Sequence, residues 1–135
     1  MAEKNFDLIV IGGGPGGYVA AIRASQLGMS VALVEARHLG GICLNWGCIP
    51  TKALLRSSEI AHTLNRIEDF GFQLNDGYSF DTKKVIKRSR DVAAQLTKGV
   101  THLLKKNNVS VFDGWGNWTE KVKSALKKMV RKSIT

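Results

Sequence analysis

Long apolar runs are missing from this sequence of 135 residues. None reaches the length of about 18 residues that a membrane-spanning helix needs, so we expect no membrane span. Residues Met1–Lys4 lead directly into an apolar segment, without the h-region of a signal peptide. We therefore expect an intracellular protein, either cytoplasmic or, if the chain is a processed eukaryotic protein, in the mitochondrial matrix.

Cysteine is also scarce, because the chain has only two, too few for a disulfide-stabilised secreted scaffold. In an intracellular protein, a cysteine pair more often serves metal binding or redox catalysis than a structural disulfide. With 44% hydrophobic and 23% charged residues, the composition is that of a globular chain, and the length allows one domain.

Acidic residues are outnumbered, 11 against 20 Lys and Arg, and the formal net charge is +9. Much of this excess lies in the segment 120–135, where six basic residues and one acid account for +5. The remainder is only mildly basic and carries no recognition motif for nucleic acid. We therefore expect no nucleic-acid partner.

Two short apolar runs near the start, Asp7–Ile11 and Ser30–Val34, predict strands of a parallel sheet that is buried on both faces. Between them, Tyr18–Leu27 reads as a helix that Gly28 terminates. This order of elements is a βαβ unit of about 30 residues. The sequence therefore predicts an α/β, Rossmann-like fold with a parallel sheet.

The rest of the chain predicts a loop, two helices and a third strand. The loop is Ala36–Gly47. Pro50 fits the first turn of the next helix, which runs through about Lys52–Leu64. After a turn-rich connection, Ser79–Asp81 can cap a long helix over Thr82–Lys106. The third strand is Val109–Phe112. The apolar face expected for the long helix consists of Val85, Val92, Leu96, Val100 and Leu103.

The glycine cluster Gly12–Gly17 fits the pattern G-x-G-x-x-G between a strand and a helix. Gly12 permits a tight turn, Gly14 lets the backbone approach a pyrophosphate, and Gly17 lets the helix pack on the strand. Glu35 ends the second strand, where an acid can accept hydrogen bonds from ribose hydroxyls. A purely structural glycine-rich turn is the alternative, and the pattern does not distinguish FAD from NAD.

The two cysteines, Cys43 and Cys48, are separated by four residues. A closed zinc site usually takes four ligands, and no histidine is spaced to complete one locally. Two buried, unreactive cysteines are another possibility. The pair stands at a predicted helix start, which favours the thiolate and suits a disulfide that exchanges electrons with thiols.

The segment Gly40–Leu55, which reads GGICLNWGCIPTKALL, resembles the active-site signature of class I pyridine-nucleotide–disulfide oxidoreductases. Its flanks are most similar to the dihydrolipoamide dehydrogenase branch of that family. The resemblance implies that Cys43 is the outer thiol, which exchanges with the dithiol substrate. It implies that Cys48 is the thiol beside the flavin and that Lys52 lies near the reactive edge of the flavin.

The resemblance also implies that the cofactor of the glycine loop is FAD. The residues that would then contact it are Gly12, Gly14, Pro15, Gly17, Glu35, Gly40, Gly41, Ile42 and Gly114. Position 42 is more often threonine in the family, so we expect the isoleucine to weaken one hydrogen bond to FAD. Gly114 would touch the adenine side, although an ordinary turn glycine is the alternative.

The function implied by the resemblance is the oxidation of dihydrolipoamide with NAD⁺ through a Cys43–Cys48 disulfide. Implied partners are the lipoyl group of a 2-oxoacid dehydrogenase complex and a second copy of the chain, in a homodimer. The alternatives are a catalytically inactive truncated fragment and a small thiol-redox or flavin-binding module.

The resemblance extends over about residues 5–116, and full-length relatives add an NAD domain and a His–Glu pair. We therefore expect residues 1–116 to form a partial FAD-binding domain with the redox disulfide. Residues 117–135 read as a basic amphipathic tail, either a membrane-surface helix or non-native sequence after a frameshift or premature stop. Without a later strand, the first strand would become an exposed apolar edge.

Overall fold

Three parallel strands form the sheet of the computed structural model, which describes residues 5–117. They are β1 (Leu8–Ile11), β2 (Val31–Glu35) and β3 (Ser110–Asp113), in the order β1-β2-β3. Ile9 is paired with Ala32 in one ladder, and the other ladder pairs Leu33 with Val111. The predicted α/β fold with a parallel sheet is confirmed.

Within residues 5–117, four α-helices and one short 3₁₀ helix connect and cover these strands. They are α1 (Pro15–Gln26), α2 (Gly41–Asn45), α3 (Cys48–Leu64), the 3₁₀ helix Ile67–Phe70 and α4 (Thr82–Lys106). None of the helices within residues 5–117 combines the length and the apolar composition needed to cross a membrane. The predicted basic tail lies almost wholly outside the described residues.

Two helix predictions need correction at the glycine-rich segments. The segment Ala36–Gly47 is not entirely a loop, because α2 forms one short helical turn within it. In addition, α1 begins at Pro15, three residues before the predicted start, because proline suits the first turn of a helix and its fixed φ favours it. The long helix α4 has the predicted bounds, and the Asp81 side chain accepts a hydrogen bond from the Lys84 amide at 3.1 Å.

The core lies between the sheet and the helices, with Leu33 of β2 and Leu104 of α4 fully buried. The predicted apolar face of α4 is therefore partly wrong, since Leu96 and Leu103 are 43% and 44% exposed. The buried residues of α4 are Ser89, Ala93, Val100 and Leu104. Small side chains at the first two positions allow α4 to pack closely against its neighbours, which an apolar pattern alone does not reveal.

Within the described residues, β1 is an edge strand that pairs only with β2. Its side chains Ile9 and Ile11 are 54% and 41% exposed, so the edge is apolar as well as unpaired. Such an edge favours association with other strands. The expected exposed edge at Leu8–Ile11 is thus confirmed for residues 5–117.

Candidate functional site

The glycine loop, residues 12–17, joins β1 to the start of α1 at the carboxyl end of the sheet. Its amide at Gly12 donates to the Val34 carbonyl at 2.8 Å, which ties the loop to β2. A Cβ atom on Gly17 would overlap the Gly12 carbonyl oxygen and lie 3.0 Å from its carbon. The close packing of strand and helix therefore requires glycine at position 17.

The N-terminal end of α1 offers unpaired amides beside open space. The amide of Tyr18 donates to the Gly14 carbonyl at 3.0 Å, so the amides of Gly16 and Gly17 precede this first helical bond. Pro15 takes the first helical position, where a missing N–H costs nothing. A Cβ atom on Gly14 would meet no atom within 4 Å. This end of the helix can therefore receive an anion such as a pyrophosphate.

Glu35 is held beside the glycine loop by two backbone amides. Its Oε2 accepts from the Gly13 amide at 2.7 Å, and its Oε1 accepts from the Arg37 amide at 2.8 Å. Partial burial acts to raise the pKa of Glu35, but hydrogen bonds from backbone amides outweigh it, and the pKa falls below its ordinary value. Because each carboxylate oxygen has a second lone pair, Glu35 can still accept a hydrogen bond from a hydroxyl group.

Acid is expected to weaken this part of the fold. Since the pKa of Glu35 is lowered, its contribution to stability is present above the ordinary value of 4.5 and is lost as pH falls through the lower, folded value. We expect the urea midpoint of the wild type to fall more than that of Glu35→Gln below pH 4.5. Asp7, whose pKa the Ser30 hydroxyl and amide also lower, contributes to both proteins alike. Parallel pH curves would contradict this role for Glu35.

A cleft of about 300 Å³ opens beside Glu35 at the carboxyl end of the sheet. Gly114 lines it, and the Gly114 amide donates to the Glu35 carbonyl at 2.9 Å. Trp115, the next residue, also lines the cleft and is 76% exposed. The carboxyl ends of β2, at Glu35, and of β3, just before Gly114, therefore meet at one concave surface.

Cys43 and Cys48 are joined by a disulfide, with 4.7 Å between their Cα atoms. This separation is ordinary for a disulfide, so the two residues lie within bridging reach. Cys43 is half-buried in α2, whereas Cys48 is exposed and is the first residue of α3. Between them, the Trp46 ring packs edge-on against the His38 ring, with 4.9 Å between centroids.

The disulfide segment, defined here as residues 40–48, is in direct contact with the glycine loop. The Gly40 amide donates to the Gly13 carbonyl at 2.8 Å, and a Cβ atom on Gly41 would lie 3.0 Å from the Gly14 Cα. Ile42 follows in α2 and is 75% exposed. Lys52 is also exposed, four residues after the start of α3. The fold thus places the start of α2, the short helix that carries Cys43, beside the candidate nucleotide site.

Asn45 is a site residue that the sequence did not single out. Its Nδ2 donates to the carbonyls of Leu39 at 3.0 Å and Gly41 at 2.8 Å, and its Oδ1 accepts from Thr97 Oγ1 at 3.3 Å. Its carbonyl accepts from Arg90 Nη1 at 2.9 Å. No local pattern predicts the contacts with α4, because Thr97 and Arg90 lie 52 and 45 residues away from Asn45 in the chain.

Comparison with known proteins agrees with this arrangement. The profile of the family described as pyridine nucleotide-disulphide oxidoreductase matches residues 6–133. The dihydrolipoyl dehydrogenase of Zymomonas mobilis is 60% identical over 119 residues, which cover 88% of this chain and 25% of that protein. Those of Rhizobium etli and Acholeplasma laidlawii are 58% and 50% identical, over 86% and 85% of this chain and 24% and 34% of their own lengths. The chain therefore spans a quarter to a third of these curated relatives, and it belongs to the pyridine nucleotide-disulphide oxidoreductase family.

Proposed function

We propose that this chain forms the FAD-binding, disulfide-bearing part of an oxidoreductase of the dihydrolipoyl dehydrogenase type, which oxidises dihydrolipoamide with NAD⁺. The observation that carries the proposal is the contact between the two candidate sites. The hydrogen bond from the Gly40 amide to the Gly13 carbonyl, at 2.8 Å, joins the disulfide segment to the glycine loop. A redox disulfide and a nucleotide loop that touch each other suit a shared flavin.

The residues of the glycine loop and the cleft fit FAD. The first-turn amides of α1 would hold the pyrophosphate, with Gly12, Gly14, Pro15 and Gly17 shaping the approach. Glu35 would accept from the adenosine ribose, and Gly114 would lie on the adenine side of the cleft. In α2 and the turn before it, Gly40, Gly41 and Ile42 would line the flavin side. FAD, when bound, supplies an acceptor for an electron pair.

The chemistry of the chain's own residues is thiol–disulfide exchange. A thiolate of dihydrolipoamide attacks Cys43 Sγ, and the Cys43–Cys48 bond breaks to release the Cys48 thiolate. The second substrate thiol, as its thiolate, then attacks the mixed disulfide and releases the Cys43 thiolate, which takes up a proton. The net result is one oxidised lipoyl disulfide and one reduced cysteine pair. The N-terminal end of α3 favours the Cys48 thiolate, and Lys52 would lie beside the flavin's reactive edge.

The remaining elements of the reaction would come from the longer protein that the relatives represent. NAD⁺ would be the electron acceptor, and the lipoyl group of a 2-oxoacid dehydrogenase complex would be the macromolecular partner. The working form would be a homodimer in the cytoplasm. These proposals rest on the identity of 50–60% with dihydrolipoyl dehydrogenases.

A direct test measures FAD retention and dithiol exchange separately on the 135-residue chain. We expect gel filtration to remove most of the FAD, because one edge of β1 is unpaired within residues 5–117 and should make the sheet marginally stable. Equilibrium titration should nevertheless show FAD binding that Glu35→Ala weakens by about tenfold, a loss of about 1.4 kcal/mol. Dihydrolipoamide should reduce the disulfide. Absence of FAD binding, or absence of reduction by dihydrolipoamide, would contradict the proposal.

A small thiol-redox module is the second candidate, and the short-range disulfide favours it, because its cysteines are only 5 residues apart and Cys48 is exposed. In that case dihydrolipoamide, glutathione and other thiols would reduce the chain equally well in the presence or absence of FAD. Under the first proposal, FAD bound to the reduced chain should accept the electron pair, which bleaches its absorbance without added NADH. The two candidates therefore differ in whether the cysteine pair and FAD exchange electrons.

A further inference from the structure

We propose that Asn45 is a positioning residue that keeps Cys43 and Cys48 close together and so stabilises the disulfide against reduction. The segment that it controls is the redox loop, defined here as residues 41–48. This inference rests on the proposed function and adds to it the residue that tunes the cysteine pair.

The side chain of Asn45 fastens the redox loop on two sides. Toward the glycine loop, Nδ2 reaches the Leu39 and Gly41 carbonyls at 3.0 and 2.8 Å. Toward α4, Oδ1 accepts from Thr97 Oγ1 at 3.3 Å, and the Asn45 carbonyl accepts from Arg90 Nη1 at 2.9 Å. One partly buried residue between the two cysteines thus connects α2 to the preceding turn and to the long helix.

The anchor on α4 lies on a long helix that packs into the core. Thr97 is partly buried on a helix of 25 residues, close to Val100, which is 6% exposed. Helix α4 also contacts α3 through Arg88, whose Nη1 donates to the Ala53 carbonyl at 3.0 Å. The two helices that carry or hold the cysteines, α2 and α3, are therefore both bonded to α4.

Reduction converts one S–S bond into two thiols, which must move apart to non-bonded distance. A fastened redox loop resists that separation, so each cysteine remains at a high effective concentration for the other. The equilibrium of the disulfide with two molecules of glutathione, which gives the dithiol and one glutathione disulfide, therefore lies toward the chain's disulfide. Loosening Asn45 should shift that equilibrium toward the dithiol.

The test equilibrates the full 135-residue chain with reduced and oxidised glutathione, traps thiols by alkylation and counts them by mass. We expect Asn45→Ala to shift the equilibrium constant about tenfold toward the dithiol, which corresponds to a reduction potential higher by about 30 mV. Thr97→Val, which keeps the shape of the side chain but removes the hydroxyl, should shift it about threefold in the same direction. Thr97→Ser, which retains the hydroxyl, should remain near the wild type.

Asn65→Ala is the matched control, because it makes the same substitution just after the last residue of α3, whereas Asn45 precedes the first. Asn65 Oδ1 accepts from Tyr78 OH at 2.6 Å, so this variant also loses a hydrogen bond, but far from the cysteines. Its equilibrium with glutathione should equal that of the wild type. If Asn45→Ala and Asn65→Ala give the same equilibrium, the positioning role is wrong.

Two further measurements cover the remaining outcomes. If Asn45→Ala does not fold, as judged by circular dichroism, Thr97→Val decides the question, and an unchanged equilibrium there overturns the proposal. In the double variant, which combines Asn45→Ala with Thr97→Val, the equilibrium constant with glutathione should equal that of Asn45→Ala alone. The test uses no FAD, so failure of the chain to bind FAD would refute the proposed function without altering the order of these variants.

Discussion

Replacing Gly17 with alanine is expected to lower the free energy of unfolding by about 3 kcal/mol or more, enough to leave a marginally stable chain largely unfolded. The added methyl group would overlap the Gly12 carbonyl oxygen, and it would lie 3.4 Å from Val10 Cγ1. The obstructing atom belongs to the backbone, so no rotamer change relieves the overlap. Urea denaturation followed by circular dichroism measures the effect.

Gly16→Ala is the control for this substitution, one residue earlier in the same helical turn. A Cβ atom on Gly16 would meet no atom within 4 Å, so its alanine variant should keep the wild-type stability or gain up to about 1 kcal/mol. If both variants are equally stable, α1 does not pack on β1 as closely as the structure describes. If both are equally destabilised, the loss comes from the flexibility of glycine and not from the overlap.

Removing either cysteine should abolish electron transfer from dihydrolipoamide to the chain. Cys43→Ser and Cys48→Ser each lack a disulfide, so neither can take up an electron pair, and we expect no reduction above background. FAD affinity should change by less than about threefold, or about 0.7 kcal/mol, because the glycine loop and Glu35 remain in place. The measurements are thiol release after dihydrolipoamide treatment and FAD binding by equilibrium titration.

Stability needs its own comparison in these cysteine variants. Closing the short loop between Cys43 and Cys48 stabilises the oxidised chain by about 2 kcal/mol in the chain-entropy estimate. The proper reference is therefore the reduced wild type, which both serine variants should match in urea midpoint. A serine variant that still exchanges with dihydrolipoamide would show that this cysteine pair is not the site of reduction.

Local patterns predicted most of the fold, and they indicated the residues of the candidate nucleotide site, which stay a prediction. The cap at Asp81, the stop at Gly28 and the acid at Glu35 each depend on residues that are neighbours in sequence or one element apart. The cysteine pair was likewise predictable, since its two members are only 5 residues apart. Each of these features depends on residue types at short, fixed spacings, which can be read from the sequence.

Features that depend on packing between distant elements were missed. Asn45 gains its importance from Thr97, and nothing near either residue indicates that they meet. The buried face of α4 was misjudged because Ser89 and Ala93 are buried by close helix packing and not by hydrophobicity. The short helix α2 escaped prediction because its five residues begin with glycine after another glycine, Gly40, and no side chain caps the helix.

The order β1-β2-β3 has a consequence for how the chain is made in the cell. Each ladder joins strands that emerge from the ribosome one after the other, so the sheet can assemble during translation without waiting for a distant partner. At a synthesis rate of about 5–20 residues per second, residues 8–113 appear within about 5–20 seconds. Chaperone binding to nascent chains should therefore concentrate on the edge of β1 that is unpaired within residues 5–117.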